Sequence, residues 1–381
     1  MQNALNARFI GADYIRETIA AYEDVGGLQT AFKIAARQGH WSPVTVTYIS
    51  DNGGYADLAS AEINLNIHDI NRVLTTLTDT PPPVLHSHDI PSQDWRAGAF
   101  DLAQLSRYRV TGPGNVIFVN CAPRLEQRGK DTENKGENVY VGMLKNGTIV
   151  SGVSPHSFAF FRDLVERGEL EIHQVNVQTK GSQFRSRDFF PWFTQALSFS
   201  LSQPEAVSGW KKDLSAEQRR KFLGQFGFIN TAKTLTLDDI HDLRRPQVVR
   251  VDTHGNLKLS VSRDELSQDY IGRPLIVTIK DRQYHAEVRD HMFDNSTDRS
   301  GIAPGSSGQW PDSDKVDPRF LEIALMGVSM RDHAGITDQD LKEGVFVEIA
   351  LDDHENVLHL PVQGQQSGLQ SSKEEERVLA R

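Results

Sequence analysis

Between residues 43 and 200, β-branched apolar runs alternate with stretches of helical periodicity. "PVTVTYIS" (Pro43 to Ser50), "PPPVLHSH", "NVIFVNCA", "NVYVGML" and "ELEIHQVNV" predict strands. "LASAEINLNIHDINRVLTTL" (Leu58 to Leu77), "DWRAGAFDLAQLSRY" and "SPHSFAFFRDLVERG" predict amphipathic helices, the second opened by Asp94 as its cap. Such alternation predicts an α/β N-terminal domain with a mainly parallel sheet. From Val248 onward short strands dominate ("VVRVDTHGNLKLSVS", "PLIVTIKDRQYHAEVR", "FLEIALMGVS", "GVFVEIALD"), which predicts a C-terminal small β-barrel. The expected division is a helical extension over 1–42, the α/β domain over 43–200 and a helical linker or insertion over 201–245. The β-barrel follows over 246–363, and a polar tail expected to be disordered over 364–381.

Composition narrows the partners. Lys and Arg number 41 against 51 Asp and Glu, a formal charge of −10 that repels phosphate backbones and argues against nucleic acid. No apolar run is long enough to span a bilayer, and the N-terminus lacks a basic segment followed by an apolar one, so a cytoplasmic protein is expected. One cysteine, Cys121, excludes an internal disulfide and a cysteine-rich zinc site.

Four stretches carry candidate chemistry. "YISDNGGYAD" ends a strand in Asp51, where a carboxylate can accept both hydroxyls of a ribose or cap the next helix. "HSHD" (His86 to Asp89) offers metal ligands or a structural histidine at a strand end; no third histidine stands at suitable spacing, and no metal is expected. In "QFRSRDFFPWF", Arg185 and Arg187 beside Asp188 suit either an anion or a structural ion pair. "VDTHGN" places Asp252 and Asn256 around a sharp turn at Gly255, which is a hairpin or bulge on local grounds.

Taken in order, these segments resemble the S-adenosylmethionine hydroxide adenosyltransferase family, the S-adenosylmethionine hydrolases, which shares its fold with the fluorinase and chlorinase enzymes. "ISDNGGYAD" is similar to the family's "TDFGxxD", with one extra residue. "SHDIPSQDWRAGAF" resembles "THxVxPxDxxxGAF" at His88, Asp94, Gly98 and Ala99. "VYVGMLKNG", "FRSRDFF", "VDTHGN" and "SSG" followed by "LEIALMGVS" resemble further family motifs, and the likeness runs over about residues 44–362.

The resemblance implies a two-domain, fluorinase-like architecture and a homotrimer with active sites between subunits. S-adenosylmethionine would be the substrate, with no further cofactor. Asp51 would bind the ribose diol. Asp252 and Asn256, with Ser306 or Ser307, would hold the methionine end, and the backbone of Met326, Gly327 and Val328 would face adenine. The reaction would be in-line displacement at ribose C5′, with methionine leaving from the sulfonium.

The chain departs from the family where water is positioned. Asn120 stands in place of the hydrolases' Asp, and a carboxamide cannot take a proton near neutral pH. Arg185 stands in place of their His, Ser186 follows it, and Arg128 would supply their Arg. Gln93 and His254 replace aromatics near the ribose and adenine. Hydrolysis to adenosine and methionine is the simplest expectation. A different nucleophile or adenosyl-like substrate, and a nucleoside-binding scaffold without catalysis, stand beside it.

Overall fold

The structure is a computed structural model. It describes residues 44–51, 65, 67–69, 72, 83–107, 115–121, 138–176, 189–201, 214–262, 270, 273–287, 303–307, 320–325 and 327–352. The chain divides into two compact units, Met1–His241 and Asp242–Arg381.

The first unit is built on a seven-stranded sheet. Its strands are β1 (Thr45–Ser50), β2 (Val84–Asp89), β3 (Asn115–Asn120), β4 (Val139–Met143), β5 (Ile149–Gly152), β6 (Ile172–Val175) and β7 (Ile229–Thr234), in the order β2-β1-β3-β5-β4-β6-β7. The pairs β1–β2, β1–β3 and β3–β5 are parallel, whereas β4–β5, β4–β6 and β6–β7 are antiparallel. The sheet is therefore mixed rather than mainly parallel. The cause is the short link Leu144–Thr148, which returns β5 beside β4 where a parallel neighbour would need a long crossover. Gly147, at φ 80°, makes that tight return possible. The stretch 201–245, expected to be a helical linker or insertion, holds the helix Ala216–Gly224 and also contributes the edge strand β7 to this sheet.

Helices cover both faces of the parallel half. Helix α1 (Trp95–Arg107) lies over β3, against Val119 and, just past the strand, Cys121. It comes so close at Gly98 that a Cβ there would sit 3.0 Å from Val119 and 3.1 Å from Ile90. A short 3-10 helix (Pro155–Phe161), capped by Ser154, leads into α2 (Arg162–Glu166). Helix α3 (Phe190–Leu201) covers the opposite face. Phe118 of β3 meets Phe190 at 4.8 Å and Phe193 at 6.1 Å between ring centroids, and stacks on Tyr48 of β1 at 5.4 Å. Phe118 is fully buried, so its truncation to Ala removes about 3–5 kcal/mol of stability. Helix α4 (Ala216–Gly224) starts with a reciprocal capping box between Ser215 and Gln218.

The second unit holds β8 (Val248–Val251), β9 (Leu257–Ser262), β10 (Pro274–Ile279), β11 (Arg282–Glu287), β12 (Ala303–Ser307), β13 (Phe320–Ala324) and β14 (Val347–Leu351). Where strand spacing predicts one small barrel, these strands form two antiparallel sheets, β11-β10-β14 and β12-β13-β9-β8. Their shared core includes Leu257, Leu259, Val277, Leu321, Ile323 and Ile349, all nearly or fully buried. Two short helices, α5 (Met330–Ala334) and α6 (Asp338–Glu343), start at the caps Ser329 and Thr337. Among the described residues no helix is long and apolar enough to cross a membrane.

Candidate functional site

Strand β1 lies between β2 on one side and β3 on the other, so the connections leave it in opposite directions. The carboxyl end of such a strand opens onto the crevice where doubly wound sheets take ligands. Asp51 is the residue that follows β1 there. Its backbone N–H donates to the Asn120 carbonyl at 3.4 Å, tying the ends of β1 and β3 together.

The Asp51 carboxylate is fixed from the neighbouring loop. Gln93 donates its backbone N–H to Asp51 Oδ2 at 2.9 Å, and the Cys121 thiol approaches the same oxygen at 3.7 Å. Gln93 adopts φ 62°, a left-handed conformation that costs an ordinary side chain about 1–2 kcal/mol. That turn aims the Gln93 amide at the carboxylate and starts α1. Asp94 then caps the helix by accepting the Ala97 amide at 3.0 Å, as its spacing predicts. His88 hydrogen-bonds Asp101 of α1 at 2.9 Å, so it ties β2 to the helix. Among the described residues no group of three or more His, Cys, Asp or Glu is gathered to hold a metal.

On the other face of β1 and β3, alternation places Tyr48, Ser50, Phe118 and Asn120 toward α3. Asn120 is half-buried and stands in register with Ser50. Tyr48 and Ser50 are each 1% exposed, and neither hydroxyl finds a hydrogen-bond partner among the described residues. Burial, and after it the Asp51 carboxylate, push the Tyr48 phenol far above its ordinary pKa, while the nearby Asn120 side chain partly offsets this. The amide is thus close to the phenol without meeting it in hydrogen-bond geometry. Sequence reasoning did not single out Tyr48 or Ser50, although their two-residue spacing from each other and before the Asp51 turn was the available signal.

The second unit holds its own polar turn. Asp252 accepts the backbone amides of His254 and Asn256, both at 2.9 Å, and the Asn256 side-chain amide at 3.0 Å. Lys258 stands 3.5 Å from the same carboxylate and 2.7 Å from the buried Glu322. Burial works against the charged form of Asp252, but the Asn256 amide, Lys258, the His254 amide and the Asn256 side chain outweigh it and hold its pKa below the usual carboxylate value. Gly255, at φ 80°, closes the turn against the Ser329 cap of α5. Gly327 has φ 74°, and Val328 is 52% exposed.

The structure thus joins the Asp51 carboxylate to the Gln93 amide and the Asp51 backbone to the Asn120 carbonyl, with the Asn120 side chain on the other face, and in the second unit it joins Asp252 to Asn256. Ser306 and Ser307 lie on β12 opposite Leu321 and Phe320; their side chains lie outside the described residues. Arg128, Arg185, Ser186 and Met326 also lie outside the described residues, as do Arg187 and Asp188.

No family model matches the chain, and no curated protein matches it. Among solved structures, an uncharacterized conserved protein from Thermotoga maritima is similar with a TM-score of 0.52 at 18% identity, covering 80% of this chain and 100% of that one. A conserved hypothetical protein from Thermus thermophilus has a TM-score of 0.48 at 16% identity, over 80% of this chain and 99% of that one. The likeness to the Thermotoga protein is one of fold alone.

Proposed function

We propose that the protein cleaves S-adenosylmethionine by nucleophilic attack at ribose C5′, most simply hydrolysing it to adenosine and methionine. The observation that carries this reading is the Asp51 carboxylate, held by the Gln93 amide at the switch point of the sheet. A carboxylate fixed there is suited to accept the two hydroxyls of a ribose diol. The resemblance of the ordered motifs to the hydrolase and fluorinase group supplies the rest. Asp252 and Asn256, with Ser306 and Ser307, bind the methionine end, and the backbone at Met326–Val328 faces adenine. Asn120, Arg128, Arg185 and Ser186 surround the nucleophile, and Gln93 lies along the sugar. The fluorinase-like architecture, a homotrimeric assembly and a cytoplasmic location belong to the same proposal.

In the reaction the water oxygen bonds to C5′ as the C5′–sulfonium bond breaks. The electron pair of that bond stays on sulfur, methionine leaves as a neutral thioether, and one water proton is released to solvent. Because the leaving group is already cationic, the protein has mainly to align the nucleophile and exclude competing water.

A second reading is a related enzyme with another nucleophile or adenosyl-like substrate. The neutral Asn120 at the end of β3 favours it, since no base stands at that position. A nucleoside-binding scaffold without turnover is the third.

The test is incubation of purified protein with S-adenosylmethionine, with adenosine and methionine separated by chromatography. Release that disappears in Asp51→Ala supports the first reading. Product that forms only with an added anion moves the assignment to the second reading. Absence of product at high enzyme concentration, with and without halide, overturns both for this substrate.

A further inference from the structure

Two buried hydroxyls on the α3-facing side of β1 are unexplained by the diol-binding role of Asp51. Tyr48 and Ser50 are each 1% exposed, and neither Tyr48 Oη nor Ser50 Oγ has a hydrogen-bond partner among the described residues. Leaving one such group unsatisfied costs about 1–3 kcal/mol, so two on one strand face call for a reason. Both lie on one face of one strand, and Ser50 faces Asn120 across the β1–β3 pair. The Tyr48 ring is packed against Phe118, so the phenol has little room to turn away.

We propose that Tyr48 Oη, Ser50 Oγ and the Asn120 carboxamide form the polar seat of the attacking water. This inference rests on the reading of the protein as an S-adenosylmethionine-cleaving enzyme. Each of the three groups is neutral and can both donate and accept, which suits a neutral nucleophile held in a fixed orientation. The Asp51 carboxylate, although its contacts lie on the other face, carries a negative field that reaches the Tyr48 phenol and raises its pKa. That field opposes a halide or any other anion and favours water.

No group of the seat has to take the proton before the bond forms. The water oxygen attacks C5′, the C5′–S bond breaks with its electrons on sulfur, and the resulting oxonium loses its proton to solvent. Tyr48 stays protonated throughout, consistent with a phenol whose ionisation is pushed far up. The contribution of the seat is orientation, whose loss lowers kcat rather than raising KM.

The test compares Tyr48→Phe and Ser50→Ala with wild type, measuring kcat and KM for S-adenosylmethionine and thermal unfolding of each protein. The expected result is a kcat lowered at least about tenfold in Tyr48→Phe, and lowered in Ser50→Ala, with KM within about twofold. Tyr48→Phe should melt close to wild type, because the ring and its stacking on Phe118 are kept. An active wild type whose folded Ser50→Ala and Tyr48→Phe variants keep its kcat overturns this inference and leaves the proposed function standing; the hydroxyls then bind a structural water. A wild type without turnover overturns both.

Discussion

Asp51 Oδ2 accepts the backbone N–H of Gln93 at 2.9 Å, across 42 positions of sequence. The bond joins the end of β1 to the turn that starts α1, and it needs the left-handed φ of 62° at Gln93. Pro at position 93 can neither donate this N–H nor adopt that φ. Gln93→Pro is expected to lower kcat/KM for S-adenosylmethionine at least about tenfold and to reduce stability, whereas Gln93→Gly keeps both bond and conformation and stays within about 1 kcal/mol of wild-type stability. Urea unfolding and initial rates check the pair; a Pro variant equal to wild type in both refutes the role assigned to this bond.

Gly255 is expected to be intolerant of any side chain. A Cβ there would lie 2.2 Å from Ser329 Oγ and 2.9 Å from Ser329 Cα, on a residue already at φ 80°. Gly255→Ala should cost about 2–4 kcal/mol, combining left-handed strain with overpacking. If the variant unfolds at the same urea concentration as wild type, the contact between this turn and the α5 cap is wrong.

The pair Lys258–Glu322 should behave as a buried ion pair. Its 2.7 Å contact joins residues that are directly opposed on β9 and β13, and both are largely buried. Lys258→Met alone leaves Glu322 without this partner and should cost about 3–5 kcal/mol, while Lys258→Met with Glu322→Leu should recover most of the loss. The double-mutant cycle is the measurement, and strict additivity of the two single changes would contradict the pairing.

Helix α6 carries an acid-sensitive cap. The Thr337 hydroxyl, then the Thr337 amide and then Lys280 hold the Asp340 pKa down to about 2, from an ordinary carboxylate value of 3.8. A depressed folded-state pKa stabilises above about pH 4 and loses that contribution as pH falls through about 2. Thr337→Ala is expected to cost about 1 kcal/mol at neutral pH. The gap in urea midpoint between Asp340→Asn and wild type should narrow as pH is lowered from about 5 to about 2; a gap that widens on acidification has the opposite sign to that expected.

Most strands were legible because β-branched runs end in clear breaks, as in "TVTYIS" and "NVIFVN". Their order was less so. "IVSG" is only four residues long and gives no signal that it pairs with both β3 and β4. "INTAKT" is an edge strand whose last half is exposed, so its apolar pattern is too weak to separate it from a linker. At the site, Asp51, Asp252 and the Gly255 turn were readable from residue type and spacing. Gln93 was not readable as a left-handed residue, because nothing in a glutamine demands a positive φ. The Lys258–Glu322 pair depends on cross-strand register between distant segments, which no local pattern encodes. The caps at Ser329 and Thr337 were readable in principle, each a hydroxyl three positions before an Asp.

The placement of Cys121 gives the molecule a clock. It is the chain's single cysteine, fully buried, with its thiol 3.7 Å from Asp51. A thiol-labelling reagent can react only during excursions that expose this buried sulfur. When reclosing outpaces reaction, the labelling rate is the intrinsic rate multiplied by the opening equilibrium. A ligand seated on Asp51 in the closed form should slow labelling by the factor 1 + [L]/Kd. The reaction of one sulfur atom can therefore weigh candidate ligands without any turnover.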